Sequence, residues 1–189
     1  MAQLYFRYST MNAGKSTEVL KIAHNYEEQN KHVVLFTPSI DDRYGTGKIT
    51  SRMGFQRDAL IINSQIDMFK IAEEEHPDCI LVDEGQFLTR EQVITLTRIV
   101  DILNIPVIVY GLKNDFRNRL FPGSEALLLL ADKIEEIKAV CWHCQKKATM
   151  LLKYKDGKPV NDGPQIEIGG NDKYISVCRR CYTERVPLK

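Results

Sequence analysis

The chain has 189 residues, of which 43% are hydrophobic and 27% charged, with a formal net charge of +1. That length accommodates one full α/β domain and a small appendage, and the composition is that of a folded globular chain rather than a disordered one. The near-neutral balance argues against a protein whose main task is to grip nucleic acid, since such domains carry a basic excess.

In chain order, Leu4 to Tyr8 is a short apolar and aromatic run that reads as a first strand. It leads into YSTMNAGKST, whose tail fits the phosphate-loop pattern G-x-x-x-x-G-K-[ST] except that Ser9 stands at the first glycine position. After Lys15, the apolar residues Val19, Leu20, Ala23 and Tyr26 recur at helical spacing. Strand, loop and helix in this order form the setting that such a loop requires. Val33 to Phe36 predicts a second strand ended by Pro38, and Asp41 to Gly54, rich in glycine and charge, reads as a mobile surface loop. Ile66, Phe69 and Ala72 suggest a helix. Cys79 to Val82 predicts a buried strand ending in Asp83-Glu84, and Thr89 with Gln92 has the spacing of a capping box opening a helix to about Leu103. Pro106 introduces another strand, Val107 to Tyr110, closed by Gly111, and Lys133 to Val140 supplies a last one. Alternating strands and helices imply a largely parallel sheet covered on both faces. Beyond Ala139 the texture changes to CWHC, a Gly/Pro-rich middle and CRRC, which divides the chain into a nucleotide-binding domain, 1–139, and a second unit, 140–189.

No apolar run approaches the ~18 residues of a membrane span. The N-terminal MAQLYFRYS lacks the layout of a secretory signal. A cytoplasmic protein is expected, in which the five cysteines are metal ligands or buried apolar groups rather than disulfides.

Two patterns carry chemistry. At the loop, Gly14 permits backbone N–H groups to approach phosphate at a helix N-terminus, Lys15 supplies a cation to the β- and γ-phosphates, and Ser16 offers a hydroxyl to Mg²⁺. In ILVDEGQF, the apolar strand delivers Asp83 and Glu84 to the end of the sheet where ligands bind; Asp83 can hold magnesium through its water shell, and Glu84 can accept a proton from an attacking hydroxyl. Together these imply Mg-ATP and a base, with the acceptor open. The pairs Cys141-x-x-Cys144 and Cys178-x-x-Cys181 suit a closed, tetrahedral, structural Zn²⁺. His143 reads as a surface residue beside that site, and Cys79 as a small core residue.

The segments MNAGKST, LVDEGQFL, YGLKNDFRNRLFPGS, CWHC and IGGNDKYISVCRRCY, in this order, resemble the zinc-containing, cytosolic type of thymidine kinase found in bacteria and animals. The resemblance implies a P-loop NTPase (RecA-like) α/β fold, a mostly parallel sheet with helices on both faces, plus a small zinc-ribbon lasso domain. It further implies transfer of the γ-phosphoryl of ATP to the 5′-hydroxyl of thymidine. Glu84 matches the general base. Ser9, Thr10, Met11, Asn12, Ala13, Gly14, Lys15, Ser16, Thr17, Asp83 and Gln86 fall on the ATP side, with Ser16 and Asp83 toward magnesium. Asp41 and Arg43 match a loop near the phosphates. Met11, Phe116, Phe121, Ile168, Gly169 and Tyr174 match the thymidine pocket, the last three in a lid anchored at both ends by the zinc ribbon. A homotetramer and feedback inhibition by dTTP are implied by the resemblance, while no membrane or nucleic-acid partner is expected. Rival readings are a kinase of another deoxynucleoside and a zinc-ribbon P-loop ATPase acting on nucleic acid.

Overall fold

A computed structural model of the chain describes residues 1–39, 47–166 and 173–188. The sequence expectations at Asp41, Arg43, Ile168 and Gly169 lie outside these residues.

The elements follow in order as β1 (Leu4–Ser9), α1 (Lys15–Glu28), β2 (Val33–Pro38), β3 (Lys48–Thr50), β4 (Gln56–Asp58), β5 (Leu60–Ile62), α2 (Met68–Glu75), β6 (Cys79–Val82), α3 (Arg90–Leu103), β7 (Val107–Leu112), α4 (Pro122–Leu130), β8 (Lys133–Glu136), β9 (Met150–Lys155), β10 (Lys158–Val160), β11 (Tyr174–Val177) and α5 (Arg179–Thr183). A single 3₁₀ turn, Gly85–Phe87, follows β6. Six strands form one sheet in the order β5-β2-β6-β7-β1-β8, every pair parallel.

Strand residues alternate between two cores, as the period of two demands. Phe6, Phe36, Ile80, Val82, Val107 and Val109 point to the face covered by α2, α3 and α4, through side chains such as Met68, Leu96 and Leu127. Leu35, Cys79, Leu81, Ile108 and Tyr110 point to the opposite face, where Val19, Leu20 and Ala23 of α1 cover them. Being buried on both faces, β6 reads as an unbroken apolar run, and all four of its residues are inaccessible. The Thr89–Gln92 capping box is formed in both directions and starts α3 where expected.

Three segments differ from their sequence pattern. Part of the expected surface loop is structured, because Lys48–Thr50 and Gln56–Asp58 pair as an antiparallel hairpin. Ile49 accounts for this, since it is 2% exposed and packs in the α1-side core. Gly111 does not end its strand, which runs through to Leu112 in register with Ser9. The last strand of the large sheet ends at Glu136, short of the expected Val140; before it, Pro122–Leu130 is a helix with Pro at its start, held to the core by Ala126 and Leu127. Among the described residues, no helix is long and apolar enough to cross a membrane.

The C-terminal part carries its own three-stranded antiparallel sheet, β10-β9-β11. Its small core of Leu152, Ile175, Val177, Tyr182 and Val186 surrounds the cysteines.

Candidate active site

The order of the large sheet brings β1 and β6 to either side of β7, so both release their C-terminal ends at one edge. From β1 the chain turns through Asn12 (φ 65°) and Gly14 (φ 81°), both left-handed, and enters α1 at Lys15. Gly14 is the N-cap, and no side chain caps the helix, which leaves its start available to an anion. Lys15 is 8% exposed and donates from Nζ to the Thr10 carbonyl at 2.9 Å, so the loop curls around its own lysine. Thr10 Oγ1 is buried with no hydrogen-bond partner among the described residues. Ser9 has a different use. Its hydroxyl donates to the Ile137 carbonyl at 2.6 Å, tying the loop to the segment after β8, a bond that glycine could not make.

Ser16 Oγ donates to Asp83 Oδ2 at 2.6 Å. Residues 67 positions apart thus meet where the loop strand and the acidic strand converge. Burial, and then the adjacent Glu84 charge, push the Asp83 carboxyl up to about 7 from 3.8; the Ser16 hydroxyl, the Glu84 N–H and Lys15 offset only part of this. A buried carboxylate and a hydroxyl in contact fit a hard divalent cation, whose charge would restore the ionised form. Glu84 follows in the left-handed region at φ 53°. Gln86 is 1% exposed and hydrogen-bonds to the Glu84 carboxylate.

These groups line one cavity of about 330 Å³. One end holds Gly14, Lys15, Ser16 and Asp83; the other holds Met11, Phe116, Phe121 and Tyr174, with Glu84 and Gln86 also on the wall. Asn12 and Thr17 line it too, whereas Ser9, Thr10 and Ala13 shape the loop from outside it. The aromatics are core-like and cavity-lining at once. Phe116 is 1% exposed and Tyr174 6%, with ring centroids 6.1 Å apart, and Leu151, Met11 and Leu112 complete their cluster. Phe121 packs edge-on against Phe87 at 5.9 Å.

Several lining residues carry no sequence signal: Phe87, Asp115, Leu151, Gln165 and the hairpin residues Lys48 to Met53. Asp115 is buried at 1% and binds its surroundings together, accepting the Arg117 and Arg119 N–H groups and the Gln165 amide. An aspartate inside KNDFRNR reads as a solvated charge, and only the return of Gln165 from 50 positions away reveals its place.

The cysteine quartet closes as expected. The sulfurs of Cys141, Cys144, Cys178 and Cys181 all lie within 4.8 Å of one another, the Cys144–Cys178 pair at 3.6 Å. Tetrahedral zinc with bonds of ~2.3 Å needs sulfurs ~3.8 Å apart, so the four thiols fit that ion. Burial opposes ionisation of Cys141, but backbone hydrogen bonds from Cys178, His143 and Cys144 outweigh it and bring the thiol down to about 6. His143 is exposed and is not a member of the cluster. Two basic pairs flank the site, and one residue of each is engaged by an acid: Lys147 by Glu136 and Arg180 by Glu184. The ribbon meets the large domain through specific bonds, Ser176 Oγ to the Met11 carbonyl at 2.6 Å and Tyr182 OH to the Phe116 carbonyl at 2.7 Å.

A family model described as Thymidine kinase matches residues 2–182. The chain is 60% identical over 192 aligned positions, covering both chains completely, to a thymidine kinase of Listeria monocytogenes serotype 4b. It is 58% identical over 184 positions, 96% of this chain and 97% of the other, to a thymidine kinase of Streptococcus pyogenes serotype M6. Among solved structures, a Pif1 helicase from Candida albicans superposes on 72% of this chain and 36% of its own length, with a TM-score of 0.43 and 13% identity, a likeness too slight to argue from. The chain belongs to the thymidine kinase family.

Proposed function

We propose that the chain phosphorylates thymidine at its 5′-hydroxyl with Mg-ATP, giving dTMP and ADP. One observation supports this most: phosphate loop, acidic strand end and an aromatic cluster share a single cavity, with Glu84 on its wall. In this reading the N–H groups at the start of α1 and the Lys15 ammonium hold the β- and γ-phosphates. Ser16 and Asp83 hold the magnesium, which when bound neutralises charge on the phosphates. Met11, Phe116, Phe121 and Tyr174 hold the nucleoside. The 5′-oxygen forms a bond to the γ-phosphorus as the bond to the β–γ bridging oxygen breaks, ADP leaves with that electron pair, and Glu84 takes the hydroxyl proton. Excluding water matters because hydrolysis of ATP is the competing reaction.

The division at 139/140 belongs to the same proposal. Residues 140–189 are a zinc-held ribbon that presents Tyr174 to the base from a sheet separate from that bearing the phosphate loop. A cytoplasmic homotetramer inhibited by dTTP is proposed on the family resemblance alone.

The test is incubation with Mg-ATP and a panel of nucleosides. Thymidine should give monophosphate and ADP in equal amounts. ATP hydrolysis stimulated by nucleic acid, with no nucleotide product, would overturn the reading in favour of an ATPase.

A further inference from the structure

The amide of Gln86 is used at both ends. Its Nε2 donates to Glu84 Oε2, and its Oε1 accepts the Leu112 N–H at 3.0 Å. The Leu112 carbonyl in turn accepts the Ser124 hydroxyl, so a chain of hydrogen bonds runs from α4 through the end of β7 to the Glu84 carboxylate. The turn carrying Gln86 is clamped by close backbone approach. A Cβ on Gly111 would fall 2.8 Å from Gln86 Oε1 and 3.0 Å from Gln86 N. One on Gly123 would fall 2.4 Å from the Gly85 carbonyl and 2.9 Å from that of Gln86. Both glycines are therefore needed to let β7 and α4 press on this turn. Their positions explain why Gly111 is buried within a strand and why a Pro-Gly start suits α4.

Glutamate has several rotatable bonds, and fixing one rotamer of it costs entropy unless a partner holds it. Glu84 leaves the strand with a left-handed backbone, so its carboxylate is not aimed by the sheet itself. We propose that Gln86 is a positioning residue that aims the Glu84 carboxylate at the acceptor hydroxyl, with Leu112 as its anchor, and is not a ligand of the nucleotide. The family resemblance groups Gln86 with the ATP side; an amide that makes one bond at each end to other groups, on a residue 1% exposed, supports the other role. This proposal rests on Glu84 being the base.

The experiment is a double-mutant cycle on kcat with KM read for both substrates. Gln86→Met keeps length and removes the donor. It should lower kcat about 10-fold or more, as misaimed groups do, while KM for ATP and thymidine stays within about 3-fold. Placed in the Glu84→Gln protein, the same change should alter the residual kcat by less than about 2-fold, because Gln86 acts only through that carboxylate. A rise in KM for ATP with kcat retained, or an undiminished loss in the Glu84→Gln background, overturns the positioning role. High turnover in Glu84→Gln alone overturns the base assignment instead, and this proposal with it. If Gln86→Met does not fold, Gln86→Leu is read by the same criteria, since it too removes the amide and leaves the backbone of the turn unchanged.

Discussion

The two ends of the cavity are built on different physical principles. The end proposed to take phosphate comes from two short stretches, the loop after β1 and the acidic terminus of β6, delivered by parallel strands on either side of β7. The aromatic end, proposed to take the nucleoside, is assembled from Met11, Phe116, Phe121, Leu151 and Tyr174, which span most of the sequence. The cysteine cluster holds the ribbon, and the ribbon reaches this end through hydrogen bonds that include Ser176 to the Met11 carbonyl, Tyr182 to the Phe116 carbonyl and Gln165 to Asp115. The first end should therefore survive damage to the ribbon, while the second should not.

Removal of the zinc proposed for the four thiolates is the largest way to test that difference. A structural four-thiolate site contributes on the order of 10 kcal/mol to folding its ribbon. Strong chelation, or Cys178→Ser, should abolish measurable thymidine binding and leave ATP binding within a few-fold, read by calorimetry for each ligand. Equal loss of both affinities would mean the two ends fold as one unit. Next in size, Glu84→Gln should lower turnover ~10² or more with both substrates still bound, because it removes the proton acceptor without altering shape. A variant that keeps most of its turnover would falsify the base assignment.

A third prediction concerns the phosphate end alone. The Asp83 carboxyl titrates near 3.8 when unfolded and about 7 in the folded protein without ligands. The folded state thus binds this proton more tightly. The associated stability is fully present below the unfolded value and is lost as pH rises through about 7. Asp83→Asn should remove that loss. With zinc left in place and no nucleotide, the variant should melt higher than the parent at pH 8 by an amount worth a few kcal/mol, the gap closing toward pH 4. A gap that is the same at both pH values contradicts the burial argument. Smallest is Tyr182→Phe, which deletes the bond to the Phe116 carbonyl and leaves that acceptor buried, at a cost of about 1–2 kcal/mol. KM for thymidine should rise several-fold with KM for ATP unmoved; the reverse pattern would place Tyr182 on the wrong side of the comparison.

The same contrast explains what could be read without coordinates. The loop, the acidic strand end, the capping box and both cysteine pairs are local patterns, since each needs only neighbours a few residues apart to do its work. Phe116 and Phe121 entered through the family resemblance, because a buried aromatic looks the same whether it faces a core or a ligand. Asp115, Leu151 and Gln165 had no local signal at all, and the β3–β4 hairpin was hidden because Ile49 finds its core only against α1.

By itself, then, the sequence determined the parallel α/β architecture, the loop and acidic strand end on which the proposed chemistry rests, and the cysteine quartet, because hydrophobic period, turn residues and chelate spacing act over short stretches. Tertiary structure alone decided that Ser16 meets Asp83, that Gly111 and Gly123 admit the Gln86 turn, and that the ribbon reaches the Met11 and Phe116 carbonyls. Those contacts join residues dozens of positions apart, and only strand order and register determine which distant residues share a wall.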